Sequence, residues 1–85
     1  MIEITNLTMD GNQQAYTVPA DTHSLGLHAV GGDITMQSAP DSGNWTISDG
    51  DKEAIDARTI SGVIIYFTGA AGVVLQIRRL TGLLS

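Results

Sequence analysis

Apolar and polar residues alternate with period two in short runs along most of the chain. Leu25, Leu27 and Ala29 stand against Gly26 and His28, and Ile34 and Met36 against Thr35 and Gln37. Trp45 and Ile47 alternate with Thr46 and Ser48, and Tyr16 and Val18 with Thr17 just ahead of Pro19. Successive side chains of a strand point to opposite faces, so this pattern predicts strands with one buried face. Turn-forming residues separate the runs, at Asp10-Gly11-Asn12, Pro19-Ala20-Asp21, Gly31-Gly32, Pro40-Asp41-Ser42-Gly43-Asn44, Asp49-Gly50-Asp51 and Gly69-Ala70-Ala71-Gly72. Short strands between regularly spaced turns belong to sandwiches and barrels. The expectation is one all-β domain over residues 1–85. It should be a small antiparallel β-sandwich, jelly-roll-like, or a flattened barrel of about seven or eight short strands.

Two segments depart from simple alternation. In Asp51–Arg58, Ala54, Ile55 and Ala57 sit among charged residues that favour helix over strand, which predicts a loop or a single helical turn. In Thr59–Thr81, the run Val63-Ile64-Ile65-Tyr66-Phe67, a Gly-Ala-Ala-Gly turn and the run Val73-Val74-Leu75-Gln76-Ile77 read as a long β-hairpin. Its first strand is apolar on both faces, which a sandwich wet on one side does not tolerate. The chain then closes on Leu80-Thr81-Gly82-Leu83-Leu84-Ser85. Ile64, Tyr66, Leu80, Leu83 and Leu84 are therefore expected to meet a neighbouring subunit or a larger assembly, the competing reading being a tail folded over its own sandwich. The expected core, or its border, comprises Leu25, Leu27, Ile34, Trp45, Ile47, Ile65, Phe67, Leu75 and Ile77.

Composition narrows the function. Charged residues make up 15% of the chain, well below the usual quarter, while the hydrophobic fraction of 42% is ordinary for a folded domain. A surface so poor in charge is covered by Ser, Thr, Asn, Gln, Gly and apolar atoms, as in surfaces that meet other proteins. Nine acidic residues against four basic ones give a net charge of −5, which repels phosphate backbones and anionic lipid. Neither nucleic acid nor membrane is an expected partner. The chain has no cysteine, so disulfides and thiolate metal sites are excluded. Met1-Ile2-Glu3-Ile4-Thr5 has neither the basic start nor the apolar run of a secretory signal, and synthesis in the cytoplasm is expected.

Candidate chemistry is sparse. His23 and His28 are an odd number of positions apart, so on one regular strand they face opposite ways and cannot share a metal. Asp41, Asp49, Asp51, Glu53 and Asp56 gather in the acidic region after Pro40, but their spacing does not reproduce the alternating carboxylates of a calcium loop. No nucleophile elbow supports a hydrolytic triad, and four aromatics are few for a sugar cleft flanked by paired carboxylates. Asn6-Leu7-Thr8 and Asn44-Trp45-Thr46 match the glycosylation acceptor pattern, which carries no weight without a secretory signal. Arg78 and Arg79 are adjacent on a strand and point to opposite sides, so they make no basic patch. No catalytic group, metal or cofactor is expected.

From Val18 to Gly82 the chain resembles the small virion structural proteins of tailed bacteriophages. The resemblance rests on the strand-ending turn Tyr16-Thr17-Val18-Pro19-Ala20, Ser24-Leu25-Gly26-Leu27-His28 and the Gly31-Gly32 turn into Asp33-Ile34-Thr35-Met36. It rests further on Trp45-Thr46-Ile47-Ser48-Asp49-Gly50, and on Ile64-Ile65-Tyr66-Phe67 with Val74-Leu75-Gln76-Ile77. It implies a compact β-sandwich without catalysis, made in the host cytoplasm and carried on the virion. The implied role is a capsid decoration or cement protein, a homo-oligomer bound to the major capsid protein or other virion proteins; a neck or tail component is the alternative. A strand pattern that begins almost at Met1 differs from decoration proteins with a long N-terminal arm. A rival from another class is a carbohydrate-binding module with Trp45 and Tyr66 as stacking platforms.

Overall fold

A computed structural model describes residues 2–56 and 62–81. Within them run eight strands: β1 (Ile2–Thr8), β2 (Gln14–Thr17), β3 (Thr22–Val30), β4 (Ile34–Gln37), β5 (Asn44–Ile47), β6 (Lys52–Asp56), β7 (Ile64–Gly69) and β8 (Val74–Thr81). They form two four-stranded antiparallel sheets, ordered β1-β8-β3-β6 and β2-β7-β4-β5 and here called the β8 sheet and the β7 sheet. The described residues contain no helix.

The pairing is nested. β1 pairs with β8, β2 with β7, β3 with β6 and β4 with β5, as though one long ribbon had been doubled at the β4–β5 turn. Rolling that ribbon brings β8 beside β3 and β7 beside β4, which closes the two sheets. This is the wiring of an eight-stranded jelly roll. The small β-sandwich expected from the sequence is therefore present.

Two local expectations are corrected. β7 and β8 do not form a hairpin: the turn between them crosses from one sheet to the other. Their alternating apolar residues, Ile65 and Phe67 on β7 and Leu75 and Ile77 on β8, are buried in the core between the sheets. Sequence spacing alone cannot separate a side-by-side pair from a face-to-face one, because both need the same alternation. The segment read as a loop or helical turn contains β6, which pairs with β3 from Ser24↔Asp56 to His28↔Lys52. Its charged residues are compatible with a strand because β6 is an edge, where charge is tolerated.

The core holds Val18, Leu25, Leu27, Ala29, Ile34, Ile47, Phe67, Leu75 and Ile77, joined by Met9, Ile65 and Val73. Trp45, expected in the core or at its border, is 58% exposed. Its side is the right one, since it pairs across to Met36 and, through it, to buried Phe67. The inward positions of the edge strand β5 divide: Ile47, opposite Ile34, is buried, while Trp45 borders an open cleft. Close approach explains Gly69: a Cβ there would lie 2.7 Å from Cγ of buried Met9.

A polar tie spans one end of the sandwich. Arg79 on β8 donates to the Glu3 carboxylate on β1 and, through Nη1, to Thr22 Oγ1 on β3 at 3.1 Å. Thr22, buried at the start of β3, donates in turn to the Pro19 carbonyl at 2.7 Å. Asp21 supplies the positive φ of 69° that the turn into β3 needs, a conformation Asp tolerates better than most residues.

Candidate interaction surface

Alternation on the β8 sheet sends Leu25, Leu27, Ala29, Leu75 and Ile77 inward and leaves their neighbours to face out. The registers align these outward residues in rows across the sheet: Ile2, Leu80 and Ser24; Ile4, Arg78, Gly26 and Ala54; Asn6, Gln76, His28 and Lys52; Thr8, Val74 and Val30. Ile2 and Ile4 are 60% and 68% exposed and Leu80 38%. Large aliphatic side chains thus cluster at the β1–β8 side of one outer face.

Glycine shapes the middle of that face. Gly26 leaves a trough in its row, and a Cβ in its place would meet Nε and Nη2 of Arg78 at 3.3 Å. The Arg78 guanidinium therefore lies against the sheet. The trough widens into a groove of about 320 Å³, lined chiefly by Ile4, His28, Lys52, Ala54, Gln76 and Arg78. His28 Nδ1 and Gln76 Oε1 are hydrogen-bonded at 3.0 Å along its floor. Neither Arg78 nor Lys52 has an ion-pair partner among the described residues. Two cations without a direct ion pair stand on this apolar-studded face of a chain of net charge −5, with Glu53 the one carboxylate among the groove's lining residues.

The opposite outer face, on the β7 sheet, is mostly polar, with Ile64, 40% exposed, at its β2 side. Thr68, Thr35 and Thr46 form one row and Ala15, Tyr66, Gln37 and Asn44 another. The interface residues expected from the sequence are thereby divided: Ile64 and Tyr66 lie on this face, Leu80 on the other, and Leu83 and Leu84 outside the described residues. Ile2 and Ile4 were missed by sequence reasoning, although Ile2-Glu3-Ile4-Thr5 alternates; nothing in a sequence says which face of an edge strand is left bare.

The remaining candidates are dispersed. His28 belongs to the groove, while His23 sits at the break in register between Thr22 and Ser24. Asp49 and Asp33 serve local structure: Asp49 Oδ1 accepts from the Gly31 amide at 3.0 Å, and Asp33 Oδ1 from the Asp49 amide at 2.8 Å. The described residues contain no group of three or more His, Asp or Glu placed to hold a metal. Trp45 lines an open cleft of about 410 Å³ between the sheet edges, with Met36, Ile55, Val63 and Ile65. Tyr66 is on the other side of that sheet, so the two aromatics do not form a joint platform for a sugar. No described helix is long and apolar enough to cross a membrane.

No protein-family model matches the chain. No curated protein matches it either. Among solved structures the fold is similar to that of protein NMB1881 from Neisseria meningitidis, with a TM-score of 0.58 and 21% identity over 94% of this chain and 72% of that one. At that identity the likeness is one of fold.

Proposed function

We propose that the protein is a non-enzymatic structural component of a tailed-phage virion, a capsid decoration protein that docks the outer face of its β8 sheet on the major capsid protein lattice. The observation that carries this reading is the exposed cluster of Ile2, Ile4 and Leu80 beside unpaired Arg78 and Lys52. Contiguous exposed apolar surface on a small domain marks a place where another protein sits. Burial there would contribute about 25 cal/mol per Å² of apolar area before the costs of association, and repetition over a lattice multiplies weak contacts. The jelly roll is common in viral capsid and lectin domains, which makes the fold compatible with this role without specifying it. A place at the neck or tail would use the same face.

The test is binding to purified particles of the phage that encodes the chain. Peptide mass spectrometry should find the protein in many copies per particle, and added protein should co-sediment with particles stripped of it. Leu80→Asp with Arg78→Glu should abolish co-sedimentation, whereas Thr46→Asp on the opposite face should not. Absence of the chain from particles overturns the virion reading. Equal binding of all three proteins overturns the choice of face.

A second reading rests on Trp45, whose exposed ring beside an apolar cleft suits stacking on a sugar. Selective glycan binding lost on Trp45→Ala would favour it.

A further inference from the structure

The two sheets have four edge strands, and three of them are blunted against pairing with another chain. β2 and β5 are four residues long, and Pro19 stands one residue beyond the end of β2. β6 carries Lys52, Glu53 and Asp56 in five positions. Short strands, proline and charge are the ordinary protections of a sheet edge. β1 has neither of the first two and a single charge. It is seven residues long, runs against β8 from Ile2 to Thr8 without a bulge, and has one charged residue, Glu3, whose carboxylate is already held by Arg79. Among the described residues β8 is its only strand neighbour. A side chain of the other sheet reaches its end, where Gln14 Nε2 donates to the Thr8 carbonyl at 3.0 Å.

We infer that β1 is a pairing edge for β1 of a second copy, antiparallel about a two-fold axis at Thr5, which joins two β8 sheets into one of eight strands. The strand suits a second copy of itself, since it can oppose its own sequence without a like-charge contact, and charge selects the direction. Asp10, Asp33, Asp49 and Asp51 all lie in turns at the end of the sandwich where β1 finishes, linked there by hydrogen bonds such as Gly11 N to Gly69 O, Gly31 N to Asp49 Oδ1 and Asp49 N to Asp33 Oδ1. Parallel pairing would set two such acidic ends side by side; antiparallel pairing sends them to opposite ends of the dimer. Centring on Thr5 sets Ile4 against the partner's Asn6 and Glu3 against the partner's Leu7. The two Glu3 residues are then four positions apart along the strands, roughly 13 Å, with no like-charge contact. Ile2 and Ile4 of both copies end on the same outer face as Leu80, so the dimer doubles the apolar stripe. An isologous pair of this kind closes on itself and does not propagate.

The absence of cysteine makes the register directly testable. In Thr5→Cys the two thiols sit on directly opposed residues, with Cα atoms about 5 Å apart, within disulfide range. In Ile4→Cys they are two positions out of register, roughly 8 Å apart and beyond the ~7 Å limit. Under mild oxidation Thr5→Cys should give a disulfide dimer quickly and almost completely, and Ile4→Cys slowly and incompletely. In sedimentation equilibrium the unmodified chain should be a dimer that Thr5→Lys converts to a monomer with an unchanged circular dichroism spectrum. A monomeric unmodified chain overturns the inference, as does a dimer that survives Thr5→Lys. Equal cross-linking of the two cysteine variants overturns the register. Thr5→Lys leaves Leu80 and Arg78 in place, and Leu80→Asp with Arg78→Glu leaves the β1 edge intact, so failure of this pairing and failure of the proposed docking face are separate results.

Discussion

The same alternation places Leu75 and Trp45 in the core or at its border, yet one is fully buried and the other 58% exposed. Removing a buried Leu side chain costs the transfer term plus a cavity, about 2 to 5 kcal/mol. Leu75→Ala should therefore lower the urea midpoint steeply, and Trp45→Ala should cost less than about 1 kcal/mol, as exposed substitutions usually do. Tyr16 offers a residue-scale test by pH. Burial raises its pKa above the ordinary 10.0, Arg79 nearby lowers it and Glu3 raises it, leaving a net upward displacement. A group whose folded pKa is raised keeps its full contribution below the unfolded value and loses it as pH climbs through the folded one. The melting temperature should accordingly fall as pH rises above about 10, with Tyr16→Phe flattening that alkaline limb.

At the scale of elements, β8 and β7 matter most, since each is paired on both sides and faces the other across the core. Amide hydrogen exchange follows local opening, so β3, β4, β7 and β8 should exchange slowest and the edge strands β2, β5 and β6 fastest. Protection of β1 should exceed that of the other edges only where the chain is dimeric. Strand identity was legible for every described strand but β6, because alternation is a local property. β6 was not, since its Lys, Glu and Asp are poor strand formers, tolerated only because β3 offers a template and solvent reaches the other edge. Thr22 and Arg79 were equally opaque. Their link depends on a turn at Pro19–Asp21 and on strands 57 residues apart in sequence.

At the scale of the whole molecule, among the described residues only β4 and β5 pair as neighbours in sequence; every other ladder joins distant strands. Loop closure must be completed before those contacts stabilise anything, so such topologies fold in milliseconds to seconds. Stopped-flow circular dichroism should show refolding in that range, and microsecond folding would contradict the nested wiring. Most of the stability should also vanish on opening either ladder of β8, giving a single cooperative transition in which near- and far-ultraviolet signals coincide.

The sequence by itself determined an all-β sandwich of about eight strands, most of its core, and the lack of charge that turns attention to protein partners. Each of these follows from local alternation or from composition, which need no knowledge of what lies across the sheet. Tertiary structure alone decided that β7 and β8 face each other, that Trp45 stands at an edge, and that Ile2, Ile4 and Leu80 share a face with Arg78 while Ile64 and Tyr66 do not. The physical reason is common to all three. A strand's pattern fixes which side of it is apolar, but which sheet it joins and whether it lies inside or at the rim depend on partners far away in the chain.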